Sequence, residues 1–127
     1  MRSNDDLIYV CDRQNNRVQV FKEDGTFVKE FLYPAKTDGF PGRVTDLAFW
    51  NDATQSMLII NDGNTEAIHL VRRDNGKEMT QFGRPGHYAG EFDRQHVLGA
   101  DSKGNIFTGE AGGQRVQKFV PSVAPQK

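Results

Sequence analysis

The sequence predicts an all-β protein built from repeated four-stranded antiparallel units, and three observations carry that prediction. A pattern of three apolar runs over residues 7–31 recurs twice further along the chain. Asp-Gly and Asn-Gly pairs punctuate it where hairpins would turn. The third strand of the unit is apolar on both faces, as in a sheet covered on both sides.

The first copy sets the template. LeuIleTyrVal at 7–10 is β-branched and aromatic, 12–16 is polar turn chemistry, and 17–21 is again strand-like. Asp24-Gly25 is a hairpin signal, and a third run follows at 26–31. Residues 1–6 are polar and read as a frayed lead-in or the tail of a turn, parallel to 101–105 further on.

The second copy runs through LeuIleIle at 58–60, a turn at 61–64, a strand at 67–71, a turn at 74–76 and a strand at 78–82. The third has Ile106-Phe107, a Gly-rich turn at 111–113 and a strand at 115–119. Asp12, Asp62 and Glu110 stand at matching positions, as do Phe21, Val71 and Phe119, with a period of about 50 residues. The later copies add a preceding strand, at 44–50 and 96–100.

A full unit is therefore four strands, a to d, and the chain reads b-c-d, a-b-c-d, a-b-c. Its three units fall at about 7–31, 44–82 and 96–119 within one partial domain of 127 residues, and the two terminal ones are incomplete. The stretches 32–43 and 83–95 hold most of the prolines and several glycines, which marks them as crossings between units. Pro121 and Pro125 argue against a paired strand in 120–127, so that segment reads as a loose tail.

Four-stranded sheets with two apolar faces stack in a β-propeller. Three of them make an arc. The sequence thus predicts that Val18, Val20, Phe21, Leu58, Ile60, Ile68, Leu70, Ile106, Val116 and Phe119 lie buried between blades, and that the end blades expose apolar faces.

Sixteen basic and 17 acidic residues are well mixed, and only Arg72 and Arg73 are adjacent bases, which argues against a nucleic-acid partner. No apolar run approaches the roughly 18 residues of a membrane helix. Cys11 is the sole cysteine, at the end of an apolar strand, and reads as a small buried hydrophobe. The chain reads as soluble and its start has no apolar core of a signal peptide, which leaves localisation open. Phosphate-loop, nucleophile-elbow and paired-cysteine motifs are absent.

AspArgGlnAsnAsnArgValGlnValPhe at 12–21 resembles the NHL repeat, a four-stranded propeller blade, and 100–119 fits it as closely. The second copy departs, with Ala67 where the others have arginine. The chain is also similar to the C-terminal part of the propeller of peptidyl-hydroxyglycine amidating lyases, zinc enzymes that cleave a C-terminal hydroxyglycine. That resemblance implies half of a six-bladed propeller. It also carries a metal-ligand histidine onto His96 and a catalytic arginine onto Arg13. Val97 stands where the family has an aspartate after its last histidine, and Thr45 occupies the equivalent start of the second unit.

Arg13, in a b–c turn, and His96, at the start of an a strand, are expected at one mouth of the propeller channel, where they would line a ligand site. Trp50, at the end of an a strand, is a further ligand-binding candidate or packs between blades. Asp12 with Arg17, and Glu110 with Arg115, recur at equal spacing and read as architectural pairs. His69 reads as a blade-surface residue and His87 as solvated.

The function expected is a non-catalytic binding or scaffolding module for a peptide, protein or small molecule. It would need no cofactor and would close as a homodimer through its terminal blades. The alternative is a lyase-like zinc enzyme whose site is completed by a partner chain or by further blades.

Overall fold

Clusters of Asp, Asn and Gly reverse the chain where the sequence places its hairpins. The protein is described by a computed structural model over residues 1–32 and 43–122. Its first sheet has strands β1 (Leu7–Asp12), β2 (Arg17–Lys22) and β3 (Phe27–Leu32) in that order. The second is β4 (Val44–Phe49), β5 (Met57–Asp62), β6 (Ala67–Arg72) and β7 (Glu78–Phe82), and the third is β8 (Gln95–Ala100), β9 (Ile106–Glu110) and β10 (Arg115–Phe119). All pairings within the sheets are antiparallel.

The turns repeat as faithfully as the strands. Asn16, Glu66 and Gln114 occupy the same place, in the turns after β1, β5 and β9, and share a left-handed backbone, with φ of 48°, 53° and 50°. Asp24 and Asp101 each accept backbone N–H bonds within their turns, which substitutes a side chain for the missing ladder partner. Residues 1–6 form the tail of a turn. Arg2 bridges Ile8 antiparallel, and the Met1 carbonyl accepts the Tyr9 N–H at 2.8 Å on the edge of β1 away from β2. Met1 and Arg2 therefore lie where β4 lies in the second sheet.

Two seams hold the sheets together. In the first, Tyr9, Val18, Val20 and Phe31 meet Val44, Leu47, Leu58, Ile60 and Val71. In the second, Ala48, Ile59 and Ile68 meet Phe92, Leu98 and Ile106, with Leu70, Phe82 and Phe119 packed around them. The middle sheet is covered on both faces, and this is what its two-sided apolar β6 requires. Arg73 rivets the first seam, donating from Nε to the Tyr9 hydroxyl at 2.8 Å and pairing with Asp5.

Several expectations need correction. Val116 is 74% exposed, because its face of the third sheet has no neighbouring sheet, although the matching Val18 and Ile68 are fully buried. Phe21, Leu70 and Phe119 are only partly buried, Phe21 on the open face of the first sheet and Leu70 and Phe119 in the lining of a cavity beside the second seam. His69 is buried, since the middle sheet has no free face, and its Nδ1 lies 2.9 Å from Glu78. Asn61 belongs to β5 and is buried, where the sequence suggested a turn. The crossing at 83–95 supplies a wholly buried core residue, Phe92. Most of the 32–43 crossing, and residues 123–127 of the expected tail, lie outside the described residues.

Among the described residues no helix is long and apolar enough to cross a membrane.

Candidate functional site

Strands β4 and β8 each start with a bulge, and the bulge sets the candidate site. In β8 the register shifts between Gln95 and Val97, so His96 is the extra residue. In β4 the shift lies between Val44 and Asp46, so Thr45 is its counterpart. These two strands neighbour each other, and Asp46 Oδ2 accepts the Leu98 N–H at 3.0 Å, which ties one to the next.

Carboxylates at the ends of β5 and β9 and in the turn after β5 clamp the approach to each bulge. Glu66 accepts the N–H groups of Arg94 at 2.8 Å and Gln95 at 3.0 Å, Glu110 accepts that of Asp93 at 2.9 Å, and Asp62 accepts that of Arg43 at 2.8 Å. Burial pushes the Glu66 carboxyl above its ordinary range, with the charges of Asp93 and Glu110 adding to the shift against those two N–H bonds. Sequence reasoning passed over Glu66. The signal was its alignment with Asn16 and Gln114, polar side chains at a shared left-handed position.

Arg13 opens a 3-10 turn, Arg13–Asn15, and is exposed. Asp12 organises that turn, accepting from Asn15 Nδ2 and from Arg17 Nε at 2.8 Å each, and these two bonds hold its carboxyl below the usual range. Arg17 continues to Glu30 at 3.0 Å. In the third sheet Arg115 pairs with Glu110 at 2.8 Å and also donates to the carbonyls of His87, Tyr88 and Glu91. Both pairs tie down turns and crossings, which is an architectural role.

The three candidate residues do not form one site. Arg13 and His96 lie at the same end of their sheets, but in the first and third, with the second between them. His96 is exposed and lines a shallow hollow of about 540 Å³ on the outer face of the third sheet, beside Val97 and Val116. Trp50 follows β4 at the opposite end. It lines an apolar cavity of about 420 Å³ between the second and third sheets, with Leu70, Phe82, Ile106 and Phe119. His87 is exposed and 3.9 Å from Asp93.

A catalytic zinc needs about three protein ligands. Among the described residues no group of three or more His, Cys, Asp and Glu side chains converges in that way, so the residues around His96 do not fit a zinc centre.

Comparison with known proteins bears on the fold. The NHL repeat model matches residues 2–21. The β-propeller domain of Myceliophteria thermophila Cps50 (Swd1) superposes with a TM-score of 0.67 at 9% identity, over 96% of this chain and 39% of its own. A streptogramin B lyase gives 0.64 at 16% identity, over 94% of this chain and 35% of its own. Virginiamycin B lyase from Staphylococcus aureus gives 0.57 at 15% identity, over 97% and 40%. The chain thus spans well under half the length of the propellers it matches. At these identities the likeness shows the fold, and the chain has the fold of part of a β-propeller, with a match to the NHL repeat in its first blade.

Proposed function

We propose that this chain is a propeller module for binding or scaffolding, without chemistry of its own, and that it closes by pairing both end faces with a second copy. The observation that carries this reading is the fate of repeat-matched positions. Leu58, Ile60 and Val71 of the middle blade are at most 1% exposed against the first blade. Their counterparts Ile8, Val10 and Phe21 face outward from the first blade, where Val10 is 42% and Phe27 is 52% exposed. On the third blade, Val97 at 52% and Val116 at 74% are uncovered in the same way.

These are the two halves of a blade-to-blade seam. The outer face of blade three presents what blade one needs on its open side, so two copies of three blades close a six-bladed ring about a two-fold axis. In that ring the exposed turns and bulges, including Arg13 and His96 of both copies, surround a channel mouth where a peptide, protein or small ligand would bind. No step of this reading uses zinc.

Sedimentation equilibrium of the 127-residue chain tests it. A mass near twice 14.3 kDa is expected, falling to one chain in Val116→Glu with the sheet signature unchanged. A folded, monodisperse monomer at micromolar concentration refutes closure by a second copy.

A further inference from the structure

The two seams of this molecule differ at three matched positions at once. In the first seam they are Cys11, Val44 and Ile60, all within or against its apolar cluster. In the second they are Asn61, Gln95 and Thr108. The matching follows from the register. Asp12, Asp62 and Glu110 close their strands against Arg17, Ala67 and Arg115, so Asn61 stands for Cys11 and Thr108 for Ile60. Val44 and Gln95 each begin an inner strand just before its bulge.

All three polar residues are sealed from solvent, at 0% exposure for Asn61, 2% for Gln95 and 1% for Thr108. No protein group hydrogen-bonds to Asn61 Oδ1 or Nδ2, Gln95 Oε1 or Nε2, or Thr108 Oγ1. They occupy one level of the seam. Asn61 follows Ile59 on the second sheet, whereas Gln95 and Thr108 flank Leu98 and Ile106 on the third, and those apolar residues share one cluster. Gly63, two residues beyond Asn61, approaches so closely that a Cβ there would lie 2.9 Å from the Gln95 carbonyl oxygen.

Buried polar groups are paired in native proteins, and a domain of ordinary stability does not carry this many unpaired. A common small partner resolves the account. A cation would satisfy the amide oxygens and the hydroxyl but leave both amide NH₂ groups unpaired. Water donates and accepts, and needs two to four polar partners in a closed site.

We infer that the second seam encloses ordered water held by Asn61, Gln95 and Thr108. The third blade therefore docks on the second through a hydrated joint, where the first seam sets Cys11, Val44 and Ile60 at the matched positions.

Two measurements on the full chain test this. A crystal structure at high resolution should show water within hydrogen-bond distance of at least two of the three side chains. Thermal unfolding should then show that each first-seam residue placed alone (Asn61→Cys, Gln95→Val or Thr108→Ile) lowers the midpoint by about 3–6 °C, since the others keep their unmet needs. The triple substitution, which removes every polar group together, should return the midpoint to the parent value or above it. Direct side-chain hydrogen bonds closing the trio without water, a metal ion in the density, or a triple variant as low as the three losses combined would each overturn the inference. The crystal structure of the parent protein decides the matter even where a variant does not fold.

Discussion

Cys11 turns the only thiol of the chain toward the second blade, and burial, with the Asp46 charge behind it, pushes that group up to about 12. A thiol so placed is protonated at ordinary pH and inert. Iodoacetamide at pH 8 should leave the native protein unlabelled and modify Cys11 quickly in urea, as intact mass would show. Glu110 is the opposite case. Burial alone would raise its carboxyl, but Arg115, the Asp93 N–H and Gln117 outweigh it and hold the group below its ordinary range. A carboxyl depressed in the folded state supplies stability above its unfolded value and loses it as pH falls through the folded one. Glu110→Gln should therefore flatten the acid limb of stability against pH, read from urea midpoints between pH 3 and 7. The architectural use of Glu110 and Arg115 was legible from their recurrence. The burial of His69 was missed although the two-sided apolar pattern of its strand implied it, because a polar side chain by itself reads as a blade-surface residue.

The crossing between the second and third blades shows how an irregular element is fixed. Gly83 has φ of +93°, and a Cβ there would lie 2.2 Å from Phe92 Cε2. Gly25 has φ of +87° with nothing within 4 Å of its missing Cβ. Both lose the left-handed freedom of glycine on substitution, at about 1–2 kcal/mol, but only Gly83 also displaces a core ring. Gly83→Ala should accordingly cost at least about 2 kcal/mol more than Gly25→Ala in urea unfolding, a gap of the size that overpacking a core produces. An equal cost at the two sites would mean that Phe92 is loosely held. Sequence reading found the hairpins because Asp-Gly and Asn-Gly carry their own geometry. It missed Phe92 and Glu66 because one sits in a crossing and the other in a turn, where no periodic pattern reports which way a side chain points.

For the whole molecule, the arc and its open ends were legible because a repeat implies a neighbour on each face of every unit. The same logic misplaced Val116, which occupies a core position of the repeat in a blade that nothing covers. If a second copy covers it, stability and association are one equilibrium, and the thermal midpoint should rise with protein concentration. Calorimetry between about 2 and 200 μM should show an upward shift of several degrees, and Val116→Glu should abolish that dependence. A midpoint independent of concentration in the parent protein would place the end faces outside any self-association. The candidate rim was less legible than the fold, because the structure sets Arg13 and His96 on the first and third sheets with the second between them and puts Trp50 at the opposite end.

The bulges at Thr45 and His96 stand outside the alternation that assigns their neighbours in β4 and β8 to one face or the other. A residue in such a position can change its chemistry without altering either core, so the start of each inner strand works as an interchangeable socket. Thr45→His would set imidazoles at equivalent places on neighbouring strands, at little cost to the packing beneath them. New recognition chemistry could be written around the rim in this way, one socket at a time, on an unchanged frame.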